Sequence, residues 1–295
     1  MEKNKNNKLN FIVTGSNGWI SQNFISYIKT NLPEANIFEI NRENGLSSIN
    51  EYSNLENVFL IHNVFTRAEY LINKISKFEF LKKSEEQFKI IERFLTNSNT
   101  IGCYYPSSGS IYKLREKDKT VYKPYSDQKL LEEKSYSEIC EKNNIKLIIP
   151  RIFSSVGPYM NNPTKFPISS FILESLNDGK VTIQSKSNNV YSFCFLPTLS
   201  ELVINYLIKD NISDNRIILD PVDYNFSLLE IAESVAELNL NNKLKVSHQF
   251  DNSDIEKYVG DSTNYENLKN QLSIKTLNFK DQLIIVNEYL KKYYI

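Results

Sequence analysis

The sequence predicts an α/β protein built on a doubly wound parallel sheet, and three observations lead to this fold class. Apolar runs of strand length alternate along the chain with segments of helical periodicity. A glycine turn joins the first apolar run to the first helical segment. No internal repeat or Gly/Ser-rich linker interrupts the alternation. This rhythm is typical of a parallel sheet with helices on its faces.

The first elements are predicted to be a strand, a tight turn and a helix. Phe11–Val13 form an apolar run, the turn lies between Thr14 and Gly18, and an amphipathic pattern begins at Ile20. Glycine lets the backbone bend sharply and approach a ligand, while the first N–H groups of the helix face an anion. A dinucleotide pyrophosphate suits such a turn. Ser21 holds the place of the third glycine of the usual fingerprint, so an ordinary glycine turn is the alternative.

Later segments continue the alternation to the end of the chain. The predicted strands are residues 37–40, 58–61, 100–105, 146–150, 190–195 and 216–219. The predicted helices are residues 78–95, 124–144 and 166–176, a helix opened by the capping box of Ser227 and Glu230, and a helix-rich tail over 261–295.

The end of the second predicted strand bears on the choice of cofactor. In a dinucleotide fold this point faces the adenosine ribose, where an acidic residue favours a 2′-hydroxyl and an arginine favours a 2′-phosphate. Arg42 stands here and favours NADP. The alternative is that Arg42 is a loop charge and that Glu39 binds the ribose of NAD.

Tyr125 and Lys129 are four residues apart in a predicted helix and therefore lie on one face of it. A lysine ammonium beside a phenol favours the phenolate, which is what a general acid/base near neutral pH requires. A surface tyrosine above a solvated lysine is the alternative.

Composition narrows the classes of partner. Lys and Arg total 35, as do Asp and Glu, so no net field attracts nucleic acid or an anionic membrane. No apolar run is long enough to span a bilayer, and none follows the charged start MEKNKNNKLN. Cys103, Cys140 and Cys194 lack metal-ligand spacing and are expected to be small buried hydrophobes. We therefore expect a cytoplasmic protein with no metal site.

Four stretches, in order, resemble motifs of the extended short-chain dehydrogenases/reductases that act on nucleotide sugars, the NAD-dependent epimerase/dehydratase family. TGSNGWIS is similar to the TGxxGxxG loop, SSGSIY to SS-x-x-VYG, PYSDQK to YxxxK, and RIFSSVGP to R-x-F-N-x-x-GP. The resemblance covers nearly the whole chain. It implies a Rossmann-type dinucleotide-binding domain over 1–165 and 192–222, and a smaller C-terminal substrate lobe over 166–191 and 223–295.

The resemblance also implies roles for single residues. Tyr125 would be the catalytic acid/base, Lys129 would hold the nicotinamide ribose, and Ser108 would hydrogen-bond the sugar oxygen that is oxidised or reduced. The cofactor, NADP or else NAD, would contact Gly15, Asn17, Gly18, Trp19, Ile20, Arg42, Tyr125 and Lys129. The partner would be a nucleotide sugar, and a homodimer is usual in the family.

Residues that are absent narrow the reaction. The Asp-Glu pair of the family's 4,6-dehydratases is replaced by Gly109 and Ser110. Gly109 also replaces the extra cysteine of enzymes that invert a carbon next to a carbonyl, and His62 is expected to be a packed structural residue. What remains is 4-keto-sugar reduction, or C4-epimerisation by oxidation and re-reduction.

Other departures from the family bear on the substrate. Tyr191 stands where the family has an arginine that grips the diphosphate, Thr198 replaces an aspartate, and Ser154 replaces an asparagine. Phe65 stands where the family prefers alanine or glycine beside the cofactor. The alternative function is therefore a non-catalytic dinucleotide-binding protein with a degenerate substrate site.

Overall fold

The computed structural model describes residues 8–72, 74–209, 212, 214–238, 244–251 and 254–295. Residues 1–7 lie outside the described residues. They make up most of the charged start MEKNKNNKLN, for which the sequence predicts no apolar leader. The chain divides into two compact units, Met1–Arg151 with Ser200–Leu219, and Ile152–Leu199 with Asp220–Ile295. Among the described residues, no helix is long and apolar enough to cross a membrane.

The strands are β1 Asn10–Thr14, β2 Asn36–Ile40, β3 Val58–His62, β4 Thr100–Tyr104, β5 Ser107–Ser108, β6 Lys146–Ile152, β7 Ser154–Val156, β8 Val181–Ile183, β9 Val190–Phe195, β10 Arg216–Leu219, β11 Tyr224–Ser227, β12 Val246–His248 and β13 Lys257–Tyr258. The helices are α1 Trp19–Asn31, α2 Lys77–Asn97, α3 Glu116–Lys119, α4 Lys123–Lys142, α5 Pro167–Asp178, α6 Leu196–Ile208, α7 Leu228–Ala236, α8 Thr263–Leu272 and α9 Phe279–Tyr294.

The first unit is built on a sheet of strand order β10-β6-β4-β3-β1-β2, with β5 paired to β6. All neighbours along this path are parallel, which confirms the predicted fold class. The strand order reverses at β1, because the chain continues to β2 on one side and then to β3 on the other. Ligands of such sheets bind outside the carboxyl ends of the strands at this reversal.

Both faces of this sheet are covered by helices because side chains alternate between faces along each strand. On one face, Ile12 and Leu60 belong to a buried cluster that includes Ile91 of α2 and Tyr136 of α4. On the other face, Phe24 of α1 packs against Tyr104, with ring centroids 4.7 Å apart. The sheet of the first unit is therefore buried on both faces.

The second unit contains a sheet of order β11-β9-β13 with β7 paired to β9, and a separate pair of β8 and β12. The predicted capping box is present at α7: Ser227 Oγ accepts the Glu230 N–H at 3.3 Å, and Glu230 Oε2 accepts the Ser227 N–H at 2.7 Å. The side chain of Asp223 is buried in this unit, where its carboxylate accepts the Phe195 N–H at 2.6 Å and the Tyr265 hydroxyl at 3.1 Å. Burial nevertheless raises the pKa of Asp223 above its ordinary value.

Candidate active site

The turn after β1 bends sharply and depends on glycine, as a phosphate-binding turn would require. Gly15 has a φ of +63°, and a Cβ at this position would lie 2.9 Å from the carbonyl oxygen of Asn63. Gly18 precedes α1 as its N-cap and gives the helix no side-chain cap. The first N–H groups of α1 are therefore not capped by Gly18 and can hydrogen-bond an anion.

Hydrogen bonds tie this turn to the sheet. The Ser16 N–H donates to the Ile40 carbonyl at 3.1 Å, and Gln22 Nε2 donates to the Ser16 carbonyl at 2.7 Å. Ser21, in the place of the third fingerprint glycine, is fully buried and donates its hydroxyl to the Thr14 carbonyl at 3.1 Å. The serine therefore bonds helix α1 to the end of β1 directly.

Of the other predicted contacts in this turn, Asn17 is exposed at its tip, while Trp19 and Ile20 are half-buried in the first turn of α1. Arg42 is exposed in the turn that follows β2. Glu39, the alternative ribose ligand, forms an exposed ion pair with Lys29 at 3.4 Å. The ribose assignment stays a prediction.

The loop after β3 contains a residue that the sequence analysis did not assign to the site. Asn63 is next to Gly15, and its backbone N–H donates to Thr14 Oγ1 at 3.1 Å. Its side-chain Oδ1 and Nδ2 are both buried, and neither has a hydrogen-bonding partner among the described residues. Buried polar atoms without partners are costly, so a ligand that pairs with them would be stabilised. An uncharged asparagine after a strand is too common to mark such a role in sequence.

Ser108, Tyr125 and Lys129 all lie on segments that follow β4. Ser108 precedes a 3₁₀ turn, Gly109–Tyr112, and its Oγ accepts the Ser110 N–H at 3.2 Å. Tyr125 is in the first turn of α4, with its ring in edge contact with Phe80. Lys129 Nζ lies 5.9 Å from the centroid of the Tyr125 ring, as expected for residues one helical turn apart. Their catalytic roles stay predictions.

Lys129 is almost fully buried, at 2% exposure. Its ammonium donates to the Tyr105 hydroxyl at 2.8 Å and to the Pro106 carbonyl at 3.1 Å, and Glu132 Oε2 lies 3.6 Å away. Burial lowers the pKa of Lys129, and the charge of Glu132 opposes this shift. The Phe65 ring covers the ammonium, with its centroid 4.5 Å from Nζ.

Tyr105 links Lys129 to Glu132. It was not predicted as a site residue from the sequence. Its hydroxyl accepts from Lys129 and donates to Glu132 Oε2. Its ring stacks on Tyr136 at 4.1 Å and on His62 at 6.3 Å. Burial raises the pKa of Tyr105 well above its ordinary value, so the phenol keeps its proton. In sequence this residue reads only as the end of an apolar strand.

A second carboxylate of α4 anchors the helix to the sheet. Glu133 accepts two hydrogen bonds from Arg151, at 3.0 and 2.7 Å, and the guanidinium also donates to the Tyr112 hydroxyl at 2.7 Å. Burial lowers the pKa of Arg151, but the bonds and charge of Glu133 more than offset this, so its pKa is raised. This pair fixes the face of α4 that carries Tyr125 and Lys129.

His62, at the end of β3, is buried and packed, which agrees with the structural role expected for it. Its Nδ1 lies 2.8 Å from Thr14 Oγ1, and burial lowers its pKa to about 3. The three cysteines are buried free thiols, as predicted. In the part of the chain that the structure describes, no group of three or more His, Cys, Asp or Glu residues is placed to hold a metal ion.

Comparisons with known proteins agree with this architecture. In structure the chain is similar to the UDP-N-acetylglucosamine 4-epimerase of Methanobrevibacter ruminantium M1 in complex with UDP-N-acetylmuramic acid, with a TM-score of 0.72 and 16% identity over 97% of this chain and 99% of that one. It is also similar to the UDP-glucuronic acid 4-epimerase of Bacillus cereus in complex with UDP-glucuronic acid and NAD, with a TM-score of 0.72 and 14% identity over 97% and 100%. The predicted resemblance is confirmed. The chain has the fold of the extended short-chain dehydrogenases/reductases.

The similarity in sequence is more local. Over 114 residues the chain is 29% identical to UDP-glucuronic acid decarboxylase 3 of Arabidopsis thaliana, a match that covers 39% of this chain and 32% of the relative. The match thus spans about a third of the curated relative's length. No protein-family model matches the chain. The extended short-chain fold hosts several reactions, so the reaction must be argued from the site itself.

Proposed function

We propose that the chain is an NAD(P)-dependent oxidoreductase that acts on a nucleotide-linked sugar, as a 4-keto-sugar reductase or a C4-epimerase. The observation that carries this proposal is that one loop contacts both parts of the site. In the loop after β3, Asn63 lies against Gly15 and the Phe65 ring lies over the Lys129 ammonium. The phosphate turn and the Tyr125–Lys129 face therefore belong to one site.

A dinucleotide fits the residues of this site. Gly15 leaves no room for a Cβ, the first turn of α1 lacks a side-chain cap, and the buried amide of Asn63 has no partner among the described residues. Gly15 and Gly18 would lie under the pyrophosphate, and Asn63 would hydrogen-bond the cofactor. When bound, the nicotinamide ring accepts or supplies the hydride.

The chain's own residues handle the accompanying proton. Tyr125 takes the proton from a sugar hydroxyl, or returns it, and the Lys129 ammonium favours the phenolate form of Tyr125. Ser108 Oγ already accepts the Ser110 N–H, so its own proton remains to donate to the sugar oxygen. Because Gly109 and Ser110 supply no carboxylate, we propose hydride transfer without elimination of water.

Two observations bear on the cofactor. Arg42 follows β2, where a 2′-phosphate would lie, and this favours NADP. The Bacillus cereus epimerase of the same fold contains NAD, which favours the alternative. NADPH and NADH titrations of wild type and Arg42→Ala distinguish them, with the exposed Arg93→Ala as control. A preference for NADPH that is lost only in Arg42→Ala supports NADP.

The proposal is tested by turnover on a panel of UDP-sugars and 4-keto-sugar nucleotides, with product analysis for epimers, reduced sugars and released CO₂. We expect Tyr125→Phe to lower turnover by about 100-fold or more while leaving cofactor affinity nearly unchanged. Tyr122→Phe, at the start of the same helix, is the matched control. Full activity of Tyr125→Phe would overturn the assignment.

A second candidate is a non-catalytic dinucleotide-binding protein. Tyr191 replaces the diphosphate-binding arginine and packs in edge contact with Phe193 and Tyr258 in β9 and β13. This function requires cofactor binding with no turnover on any member of the panel, in wild type and Tyr125→Phe alike.

The predicted homodimer and cytoplasmic location also remain proposals. Leu130 and Leu131 of α4 are 51% and 57% exposed, and Phe78 of α2 is 75% exposed, which supports an interface on these helices. Light scattering of wild type and Leu131→Asp tests it.

Three buried free thiols are consistent with a reducing compartment.

A further inference from the structure

We propose that Tyr105 and Glu132 are positioning residues for Lys129, which hold its ammonium beside Tyr125 and keep it in the cationic form. The catalytic consequence rests on the proposed function, whereas the effect on Lys129 itself does not. The pair lies outside the motifs that led to Ser108, Tyr125 and Lys129.

The burial of Lys129 makes a partner necessary. A buried ammonium is costly unless it is paired and hydrogen-bonded. Its three N–H groups have three partners nearby: the Tyr105 hydroxyl at 2.8 Å, the Pro106 carbonyl at 3.1 Å and Glu132 at 3.6 Å. Only Glu132 among these carries a negative charge.

Other titratable groups around Lys129 do not replace Glu132. They are His62 of β3, Tyr105 after β4, and Tyr125 and Glu133 of α4. His62 is neutral near pH 7 because burial lowers its pKa to about 3. Glu133 is engaged by two hydrogen bonds from Arg151.

The Tyr105 hydroxyl is suited to its place because it both accepts and donates. It accepts from the Lys129 ammonium and donates to Glu132 Oε2, so the three groups form a polarised chain. Gln128 Nε2 donates to the other oxygen, Oε1, at 3.2 Å and orients the carboxylate. Stacking on Tyr136 and His62 fixes the ring that carries the hydroxyl.

The test measures the pKa of Lys129 in the full chain without added cofactor, from the pH titration of its ¹³Cε resonance. The resonance is assigned by its loss in Lys129→Met. We expect Glu132→Gln to raise the acid dissociation constant of Lys129 about tenfold or more, because a neighbouring carboxylate favours the charged form. Glu138→Gln is the control, since Glu138 is an exposed acid of α4 paired with Lys134.

Tyr105→Phe is the second variant. It keeps the stacked ring, and it allows the test to be made even if Glu132→Gln does not fold. It should also raise the acid dissociation constant of Lys129, but by a smaller factor. In both variants the basic limb of the turnover–pH profile should move to lower pH, because Lys129 then loses its proton earlier. We therefore expect a shifted Lys129 titration and a shifted turnover–pH profile in these two variants, and neither shift in Glu138→Gln.

A Lys129 titration that is identical in wild type, Glu132→Gln and Tyr105→Phe would overturn the inference, even if Tyr125 proves catalytic. Conversely, a shifted titration in a protein with no turnover would support the positioning pair and reject the proposed function. The two failures are thus distinguishable.

Discussion

The Lys129 ammonium lies 4.5 Å from the centroid of the Phe65 ring, within cation–π distance. Phe65 stands where the resembling family prefers a small residue beside the cofactor. The ring therefore covers the lysine that is expected to hold the nicotinamide ribose. Access of a ribose to Nζ would require this ring to move.

The first prediction concerns that cover. We expect Phe65→Ala to bind the dinucleotide about 2- to 30-fold more tightly, since moving the ring forfeits a cation–π contact of about 0.5–2 kcal/mol. Fluorescence or calorimetric titration measures this. Phe78→Ala, an exposed phenylalanine of α2, is the control. Weaker binding in Phe65→Ala would mean that the ring contacts the cofactor rather than blocking it.

The second prediction concerns Asn63, whose side-chain polar atoms are buried without partners among the described residues. Asn63→Ala should weaken dinucleotide binding about 2- to 10-fold, the value of a neutral hydrogen bond. The protein without cofactor should be equally stable or more stable, because an unpaired buried group is removed. Titration and urea unfolding measure the two effects. A loss of stability without loss of affinity would make Asn63 a structural residue.

The third prediction concerns the Glu133–Arg151 pair. Glu133→Gln should lower the free energy of unfolding by about 2–3 kcal/mol, less than for a fully enclosed pair, because the Arg151 side chain is 22% exposed. Disrupting the exposed Lys134–Glu138 pair should change it by less than about 1 kcal/mol. Urea unfolding measures both. Equal effects of the two changes would contradict the anchoring role of Glu133.

The fourth prediction is a pH dependence of stability that comes from His62. Its pKa is about 3 in the folded protein and about 6.5 when unfolded, so the unfolded state gains a proton first as pH falls. The contribution is present above about pH 6.5 and should fall by roughly 2–3 kcal/mol by pH 4.5. Unfolding of wild type and His62→Gln at pH 7 and 4.5 measures it. The drop should be smaller in His62→Gln, and equal drops would contradict a neutral buried histidine.

Much of the fold could be predicted because its signals are local. Apolar runs such as Phe11–Val13 and Lys146–Pro150 fall inside β1 and β6, and the capping box of Ser227 begins α7. Helix α6 was not predicted, because most of its residues are apolar and it directly follows the apolar strand β9. The segment 113–123 was interpreted as a loop, whereas Glu116–Lys119 form one helical turn of α3.

The residues of the candidate site could be predicted only where the spacing between them in the sequence indicates their function. Gly15 and Gly18, or Tyr125 and Lys129, are close in sequence, so local geometry relates them. The contacts of Asn63 with Gly15, and of Tyr105 with Glu132, join residues far apart in the chain. Only the packed strand ends bring these residues together, so no local pattern indicates them.

Ser21 shows that a fingerprint position can be satisfied by a different means. A glycine there permits close packing by having no side chain, whereas Ser21 is fully buried and spends its hydroxyl on the Thr14 carbonyl. In this chain the position is therefore filled by a small side chain that packs closely and also hydrogen-bonds the backbone of β1. A search that requires three glycines would therefore miss a turn that is closed, as this one is, by a buried serine.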